Sequence, residues 1–194
     1  MGKIWVRSLL DCRQSRVRQT HTYKAYHGHD STRDMLSSWA YPKLAIIATH
    51  YFWAAGTAIQ KSHQGLLQSI LYDIFRECPA CIPIACPARW SKKGQQTSTW
   101  SMTELSTCLN KLAKEDDLPT KFCFFIDGLD EFGDDHLELC EVIRDLSRSP
   151  HIKLCVSSRP LNVFTKNFGE DQCVKELIKL INLINYQIMI NWFD

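Results

Sequence analysis

The pattern of hydrophobic and polar residues along the chain predicts its secondary structure from residue 32 onward. A helix is predicted over Thr32–Ala40, and an apolar, aromatic-rich run over 44–53 predicts a buried strand. The clearest helix is Ser62–Cys78, because its large apolar residues recur every three or four positions and form one stripe. These residues are Leu66, Leu67, Ile70, Leu71, Ile74 and Phe75.

The middle of the chain contains a predicted loop, a helix start and a second buried strand. Residues 79–100 are rich in Pro, Gly, Ser and Lys and predict a loop. Ser101 and Glu104 have the spacing of a capping box, in which each side chain satisfies a free backbone N–H group at the start of a helix. Residues 122–126 contain no polar residue, which predicts a strand covered on both faces.

The last third of the chain continues the same alternation. A helix is predicted after residue 133, capped by Asp134 or Asp135, and a strand over 152–156. Residues after Cys173 are predicted to be helical. From residue 44 onward the predicted order is therefore strand, helix, helix, strand, helix, strand, helix, which is typical of an α/β fold with a parallel sheet flanked by helices.

Composition and charge exclude several classes of protein. The 194 residues suffice for one domain, and the net charge of +2 does not indicate nucleic-acid binding. The basic residues before position 34 could form an arm that touches phosphates or a solvated tail. Residues 1–20 lack the pattern of a secretory signal, and polar residues interrupt the apolar run over 177–193. The sequence predicts a cytoplasmic protein without a membrane span.

Nine cysteines in such a chain are expected to be reduced, and several to be small core residues. Cys78 and Cys81 form a C-x-x-C motif, with Cys86 close behind. Redox activity or zinc binding is one interpretation. A reactive C-x-x-C usually draws its low pKa from a helix N-terminus, whereas this motif follows a helix, and no fourth zinc ligand lies nearby. Core packing is therefore the favoured interpretation.

Charged residues follow two of the predicted strands directly. Asp127, Asp130 and Glu131 come after the strand over 122–126, and Arg159 follows the next strand. In open α/β sheets ligands bind beyond the carboxyl ends of the strands. Such acids could hold Mg²⁺ and orient a water molecule, and the cation could meet a terminal phosphate. Acids at this place could also be turn residues or helix caps.

These segments resemble the NACHT domains of signal-transduction NTPases. The Walker B and sensor 1 strands of that family are similar to KFCFFIDGLDEF and KLCVSSRP. The resemblance is strongest to fungal NLR-like proteins of the heterokaryon-incompatibility and nephrocystin 3-like type. It extends upstream to AIIATHYFWAAGTAIQKSHQGLLQSILYDI and includes the P-x-R-W motif that begins at Pro87, so that it covers about residues 22–168.

The resemblance implies a role for each charged residue. Asp127 would be the acid associated with Mg²⁺, through its waters, in the presence of ATP or GTP. Asp130 and Glu131 would be the acidic pair at the hydrolysis centre, and Arg159 would be the sensor arginine. The fold would be a P-loop NTPase-like parallel sheet.

The sequence departs from the family at the phosphate-binding loop. The family places G-x-x-x-x-G-K-[ST] between its first strand and a helix that would begin near Thr22. Residues 16–21 contain no glycine, and Gly2-Lys3 is followed by Ile4. Glycines in this loop let backbone N–H groups surround the phosphates, so nucleotide affinity should be lost without them. Residues 4–6 are at best a poor substitute for the first strand, and the sheet is expected to be incomplete.

Three segments are therefore predicted: an irregular basic N-terminal segment (1–21), a partial NACHT NTPase domain (22–169) and a divergent C-terminal helix (170–194). The expected function is that of a truncated NACHT-type NTPase that does not hydrolyse nucleotide. The alternative is an interaction fragment, or decayed paralogue, that binds full-length NLR-like relatives or associates with itself. A C-x-x-C oxidoreductase is a third hypothesis. The sequence does not distinguish ATP from GTP.

Overall fold

The computed structural model describes residues 4–8, 30–92, 98–159 and 162–168. The strands are β1 (Ile4–Ser8), β2 (Leu44–Tyr51), β3 (Thr120–Asp127) and β4 (Ile152–Ser158). The helices are α1 (Asp30–Ala40), α2 (His63–Glu77), α3 (Cys81–Ala85), α4 (Pro87–Ser91), α5 (Met102–Lys114), α6 (His136–Ser147) and α7 (Asn162–Phe168). Short 3₁₀ turns lie at Ile59–Lys61 and Leu129–Glu131.

The four strands form one parallel sheet in the order β1-β4-β3-β2. This confirms the predicted α/β fold with a parallel sheet and flanking helices. The expectation for the first strand was wrong, because Ile4–Ser8 pairs with β4 over its whole length, from Ile4 opposite Leu154 to Ser8 opposite Ser158. A five-residue strand adds few apolar residues, and its pairing with a strand about 150 positions away leaves no local signal in the sequence.

The two faces of the sheet are covered by different helices. Residues at even positions of β2, β3 and β4 pack in one large core with α2, α5 and α6. Residues at odd positions, among them Cys123 and Phe125, pack with Leu36 and Trp39 of α1 on the other face. Every residue from Phe122 to Ile126 is at most 5% exposed, which confirms that this strand is covered on both faces.

The helix starts follow the capping residues of the sequence. The Ser62 hydroxyl accepts from the N–H of Gly65, and the predicted capping box of Ser101 and Glu104 is complete. Asp135, rather than Asp134, caps α6 by accepting from the N–H of Leu137 at 2.9 Å. Each cap satisfies a donor that the first helical turn leaves free, so these polar side chains set the helix starts.

The segment expected to be a loop over 79–100 contains the short helices α3 and α4. Arg89 of α4 holds this segment against the start of α5. Its guanidinium donates to both carboxylate oxygens of Glu104, at 3.2 and 3.0 Å, and lies 4.1 Å from the Trp100 ring centre. Arg89 holds the pKa of Glu104 at about 2. The P-x-R-W motif therefore ties this segment to the start of α5.

The C-terminal part of the chain is described only as far as α7, a helix that the sequence reading did not predict. Phe164 of α7 is buried and packs edge-on against His136 at the start of α6, with ring centres 5.4 Å apart. The helix predicted after Cys173 lies outside the described residues. Within the described residues, no helix is long and apolar enough to cross a membrane.

Candidate functional site

The carboxyl ends of the four parallel strands lie along one edge of the sheet. Asp127 is the last residue of β3 and lies opposite Tyr51 of β2, and Ser8 of β1 lies opposite Ser158 of β4. Arg159 follows β4 directly. Because β3 and β4 are neighbours, the structure brings the predicted acids and the predicted arginine to adjacent strand ends, where ligands of α/β sheets bind.

Asp127 is half-buried and hydrogen bonded across the sheet. The hydroxyl of Ser157, which is 1% exposed, donates to Oδ1 of Asp127, and the N–H of Gly128 donates to the same carboxylate. Burial raises the pKa of Asp127 above its usual value, and the nearby carboxylates of Asp130 and Glu131 raise it further, while the two hydrogen bonds oppose this shift. A cation placed beside Asp127 would relieve this cost.

Asp130 and Arg159 form a close pair through both backbone and side chain. The backbone N–H of Arg159 donates to Oδ1 of Asp130 at 2.8 Å, and its guanidinium Nε donates to Oδ2. The Asp130 side chain is 6% exposed, whereas that of Arg159 is 51% exposed. The ion pair raises the pKa of Arg159. The carboxylate of Asp130 is thus occupied by the arginine that follows β4.

Glu131 connects the acidic turn to the loop that follows β2. Its Oε2 accepts from the backbone N–H of Ala54 at 2.6 Å. Two backbone hydrogen bonds join the same two segments. The N–H of Phe52 donates to the carbonyl of Asp127 at 2.9 Å, and the N–H of Gly133 donates to the carbonyl of Lys61 at 2.8 Å. The loop over 52–61 and the turn over 127–133 therefore form one hydrogen-bonded unit.

Gly128 makes the turn after β3 sterically feasible. Its φ of 77° lies in the left-handed region, which residues with a Cβ atom adopt only at a cost. A Cβ atom here would also lie 3.0 Å from the carbonyl oxygen of Phe52. The glycine in the D-G-L-D-E sequence thus turns the chain so that Asp130 reaches Arg159.

An aromatic row runs beneath this turn and links it to the flanking helices. The rings of Phe52 and Phe132 lie 5.3 Å apart, and His136 follows 6.0 Å from Phe132. His50, at the other end of the row, is buried and contacts Phe52 with ring centres 4.5 Å apart. The row packs the loop after β2, the acidic turn and the start of α6 against one another.

Sequence reasoning identified the charged residues but not their partners. Ser157 and Ser158, both buried, contribute the hydroxyl groups nearest Asp127 and Asp130. Two serines directly before an arginine at a strand end were a usable signal. The bond from Ala54 to Glu131 joins positions 77 apart and involves a backbone donor, so no side-chain pattern could have revealed it.

The donor set fits a magnesium ion only in part. Among the described residues, no group of three or more His, Cys, Asp or Glu side chains is arranged to hold a metal ion. Mg²⁺ often binds through its waters to one carboxylate and to substrate phosphates, and Asp127 suits that mode. The phosphate side of such a site needs backbone N–H donors from a glycine-rich loop, and the given residues contain no G-x-x-x-x-G-K-[ST] motif.

The C-x-x-C motif lies away from this edge, at the C-terminal end of α2. Cys78 caps that helix, and Cys81 begins α3. Burial raises the pKa of Cys81 to about 12, and contact with Cys78 adds to the shift. None of the seven cysteines that the structure describes forms a disulfide. Such a thiol is a poor nucleophile at neutral pH, in line with the core-packing interpretation.

The fold and the edge residues define the class of an α/β domain with paired acids and an arginine at adjacent ends of a parallel sheet. Residues 17–159 match the family model described as nephrocystin 3, N-terminal, and the chain therefore belongs to this family. The match gives the chain the context of a NACHT-like N-terminal domain. No curated protein matches the sequence.

Proposed function

We propose that this chain is a NACHT-type nucleotide-binding domain relative, of the fungal NLR-like kind, that does not hydrolyse nucleotide. In this proposal Asp127 is the remnant of the Walker B acid and Arg159 that of the sensor arginine. The protein would act in signal transduction by its fold and its contacts. With its cysteines reduced, we expect it in the cytoplasm.

The observation that carries this proposal is the position of β1. Its last residue, Ser8, lies opposite Ser158, so the chain leaves β1 at the edge where Asp127 and Arg159 lie. A phosphate-binding loop would belong in the connection from β1 to α1. That connection, residues 9–29, contains a single glycine, Gly28, and no G-K-[ST]. The glycines that would let backbone N–H groups surround a triphosphate are therefore not encoded in this connection.

The Asp130–Arg159 pair supports the same conclusion. In the family pattern the arginine would meet a terminal phosphate, and the acid would serve hydrolysis. Here both are engaged with each other, and Glu131 is engaged with the loop after β2. Hydrolysis would require these bonds to break without the binding energy that a phosphate loop supplies.

Nucleotide titration tests the proposal directly. A fluorescent ATP analogue, and separately a GTP analogue, is titrated with Mg²⁺ against the purified chain, with Asp127→Ala as the comparison. We expect no binding at micromolar concentrations for either protein. Tight binding that is lost in Asp127→Ala would restore the enzyme interpretation. Binding that Asp127→Ala leaves unchanged would indicate a nucleotide site elsewhere.

A loop graft tests the reason for the expected lack of binding. The triple variant Arg13→Gly, Arg18→Gly, Gln19→Lys creates G-x-x-x-x-G-K-T over residues 13–20, using the natural Thr20. We expect this variant to gain Mg²⁺-dependent nucleotide binding that the further change Asp127→Ala removes. The matched control is Arg13→Ala, Arg18→Ala, Gln19→Lys, which changes the same three positions without glycine. Equal binding by graft and control would contradict the role of the loop.

A second candidate function is an interaction module that binds full-length NLR-like relatives or associates with itself. Its support is the sheet, in which β2 pairs only with β3 and β1 only with β4 among the described strands. Unpaired strand edges attract partner strands. Co-purification with a full-length relative, lost when the edge is altered, would favour this function.

A further inference from the structure

The outer edge of β2 forms the floor of a groove between α1 and α2. The groove has a volume of about 600 Å³. One wall contains Arg33, Leu36 and Ser37 of α1, and the other contains Asp73 and Arg76 of α2. The floor includes residues 44–47 and Thr49 of β2. The edge of the strand is thus accessible from the side but recessed between two helices.

The backbone of β2 presents its free hydrogen-bonding groups in a short stretch. The N–H groups of Leu44 and Phe52 point to the β3 side, where they donate to Pro119 and Asp127. Successive residues of a strand point their backbone groups to opposite sides, so the odd-numbered residues face the groove. Ala45 and Ile47 are the two such residues in the middle of the strand.

Both ends of this stretch are closed by the protein itself. The N–H of Thr49 donates to Oδ2 of Asp73 at 2.9 Å, and the N–H of Lys43 donates to the carbonyl of Ala40 at 3.0 Å. The open edge is therefore limited to the groups of Ala45 and Ile47. It is long enough for a short extended segment.

One cation on the walls of the groove has no counter-ion. Arg76 lies 3.1 Å from Glu77 and 3.6 Å from Asp73, so the cation of α2 is paired and this wall carries a net charge of −1. Arg33 of α1 is exposed and has no hydrogen bond or ion pair within the described part of the chain. A ligand with a carboxylate on the α1 side would complement it. Leu44, which is 70% exposed, adds apolar surface at the end of the floor.

We propose that an extended segment of a partner protein, with apolar residues and an acidic side chain, binds in this groove as an added strand on β2. Its backbone would pair with Ala45 and Ile47, and its carboxylate would pair with Arg33. Main-chain hydrogen bonds give such strand addition its affinity, and side-chain contacts give its specificity. The groove lies on the outer edge of β2, so this proposal is independent of the fate of the nucleotide site.

The recess favours a partner peptide over a second copy of the chain. Two identical edges, each set back between its own α1 and α2, would bring the helices into contact before the strands came within the spacing of about 4.8 Å that pairing requires. A single extended segment has no such helices. It can enter the groove and reach the floor.

The test uses fluorescence anisotropy with the full chain and a labelled nine-residue probe peptide. The probe alternates valine with glutamate and threonine, and the matched probe has lysine in place of glutamate. We expect micromolar binding of the acidic probe and about tenfold weaker binding of the basic probe, because only the acidic probe complements Arg33. Absence of binding, or equal binding of both probes, would overturn the proposal.

Two variants locate the binding to the groove. Ile47→Pro removes an N–H group that faces the groove and leaves the bonds to β3 intact, so we expect it to abolish binding of the acidic probe. Arg33→Glu, at an exposed helix position, should reverse the preference between the probes without affecting folding. Arg148→Glu, at the C-cap of α6, is the control at an exposed arginine outside the groove and should leave the preference unchanged.

The same variants distinguish other occupants. If light scattering shows a dimer that Ile47→Pro converts to a monomer, the second copy occupies the edge and the proposal is wrong. If Arg33→Glu keeps the preference for the acidic probe, Arg33 does not contact the ligand and the proposal is also wrong. Circular dichroism melts of each variant show whether the fold is retained, and Arg33→Glu decides the question if Ile47→Pro unfolds.

Discussion

The backbone N–H of Arg159 lies 2.8 Å from Oδ1 of Asp130, and its guanidinium donates to the other oxygen of the same carboxylate. Arg159 thus donates to Asp130 both from a backbone group, which is rigid, and from a side chain, which is flexible. The backbone donor fixes the end of β4 to the turn after β3, whereas the half-exposed guanidinium can leave. An arginine placed in this way can be released by a competing anion without loss of the turn.

The strength of this pair is open to a double-mutant cycle. Asp130→Ala removes the acceptor of both donors and should lower the free energy of unfolding by about 2 kcal/mol, since hydrogen bonds to charged groups contribute most. Arg159→Ala keeps the backbone donor and should cost about 1 kcal/mol. Urea denaturation of both single variants and the double variant should give a coupling energy near 1 kcal/mol.

The pair of Asp145, near the end of α6, and Arg148, the C-cap of that helix, provides the control cycle. Both side chains are mostly exposed, at 66% and 71%. Exposed ion pairs contribute little, so the coupling should stay below about 0.5 kcal/mol. Equal coupling in the two cycles would show that the Asp130–Arg159 pair is an ordinary surface contact.

The ionised carboxylate of Asp127 should lower the free energy of unfolding of the natural chain. Burial raises its pKa, so the ionised carboxylate is disfavoured in the folded state. For an acid with a raised folded pKa, this cost is absent at pH values below the unfolded pKa and is present in full above the folded pKa. Asp127→Asn should therefore be more stable than the natural chain at pH 7 by roughly 0.5–1 kcal/mol.

The measurement is urea denaturation of both proteins from pH 3 to pH 7. The advantage of Asp127→Asn should shrink toward pH 3, where Asp127 becomes neutral. Asp127→Ala serves as the comparison, because it leaves the Ser157 hydroxyl without its acceptor and should be the least stable of the three at pH 7. A pH-independent difference between Asp127→Asn and the natural chain would contradict the assigned role of burial.

The glycine of the acidic turn should not tolerate a side chain. Gly128→Ala places a Cβ atom at a φ of 77° and 3.0 Å from the Phe52 carbonyl oxygen. We expect a loss of about 1–2 kcal/mol in the free energy of unfolding. Gly133→Ala is the matched control: its φ lies outside the left-handed region, and its nearest neighbour would be Cβ of Lys61 at 3.3 Å. Similar losses in the two variants would contradict a special role for the left-handed conformation.

The helix bounds could be predicted from the sequence because local rules set them. Ser101 caps α5 as the capping box predicted, Ser62 caps α2 at the first residue of the helix predicted from its apolar stripe, and Cys78 ends α2 before Pro79. Caps and apolar stripes involve residues three or four positions apart, which a single sequence displays directly. The strands at 44–51 and 120–127 were also evident from their apolar runs.

The remaining features depend on distant pairing. The strand β1 exists because Ile4–Ser8 pairs with β4, and nothing near residue 4 encodes that partner. The positions of Asp127 and Arg159 were predicted because each residue follows the end of a strand that the sequence displays. The bond from Ala54 to Glu131 joins distant segments and was not predicted. A role for these residues toward a nucleotide stays a prediction.

The last prediction concerns the pH dependence of folding through His50. Its Nδ1 lies 2.6 Å from the Ser69 hydroxyl, which itself donates to the Gly65 carbonyl at 2.9 Å. In the tautomer with the proton on Nδ1, Nδ1 donates to Ser69 and the hydroxyl hydrogen remains for the Gly65 carbonyl. Nε2 is then a bare acceptor, buried and without a partner in the described part of the chain.

Burial lowers the pKa of His50 to about 4, from about 6.5 in the unfolded chain. The folded state thus binds the proton less readily than the unfolded state. The contribution of neutral His50 to the free energy of unfolding is fully present above pH 6.5. It is lost as the pH falls from 6.5 toward 4, at up to about 1.4 kcal/mol per pH unit. Urea denaturation between pH 4 and pH 8 should show this decline in the natural chain.

His50→Phe should remove most of the decline, because a phenyl ring fills a similar space beside Phe52 and takes up no proton. At pH 7.5 we expect the variant to be within about 1 kcal/mol of the natural chain, since it loses the bond to Ser69 but also the unpaired Nε2. The difference in stability between the natural chain and His50→Phe should therefore be larger at acid pH than at pH 7.5. If the natural chain and His50→Phe lose stability in parallel below pH 6.5, His50 is not the group that links protonation to unfolding.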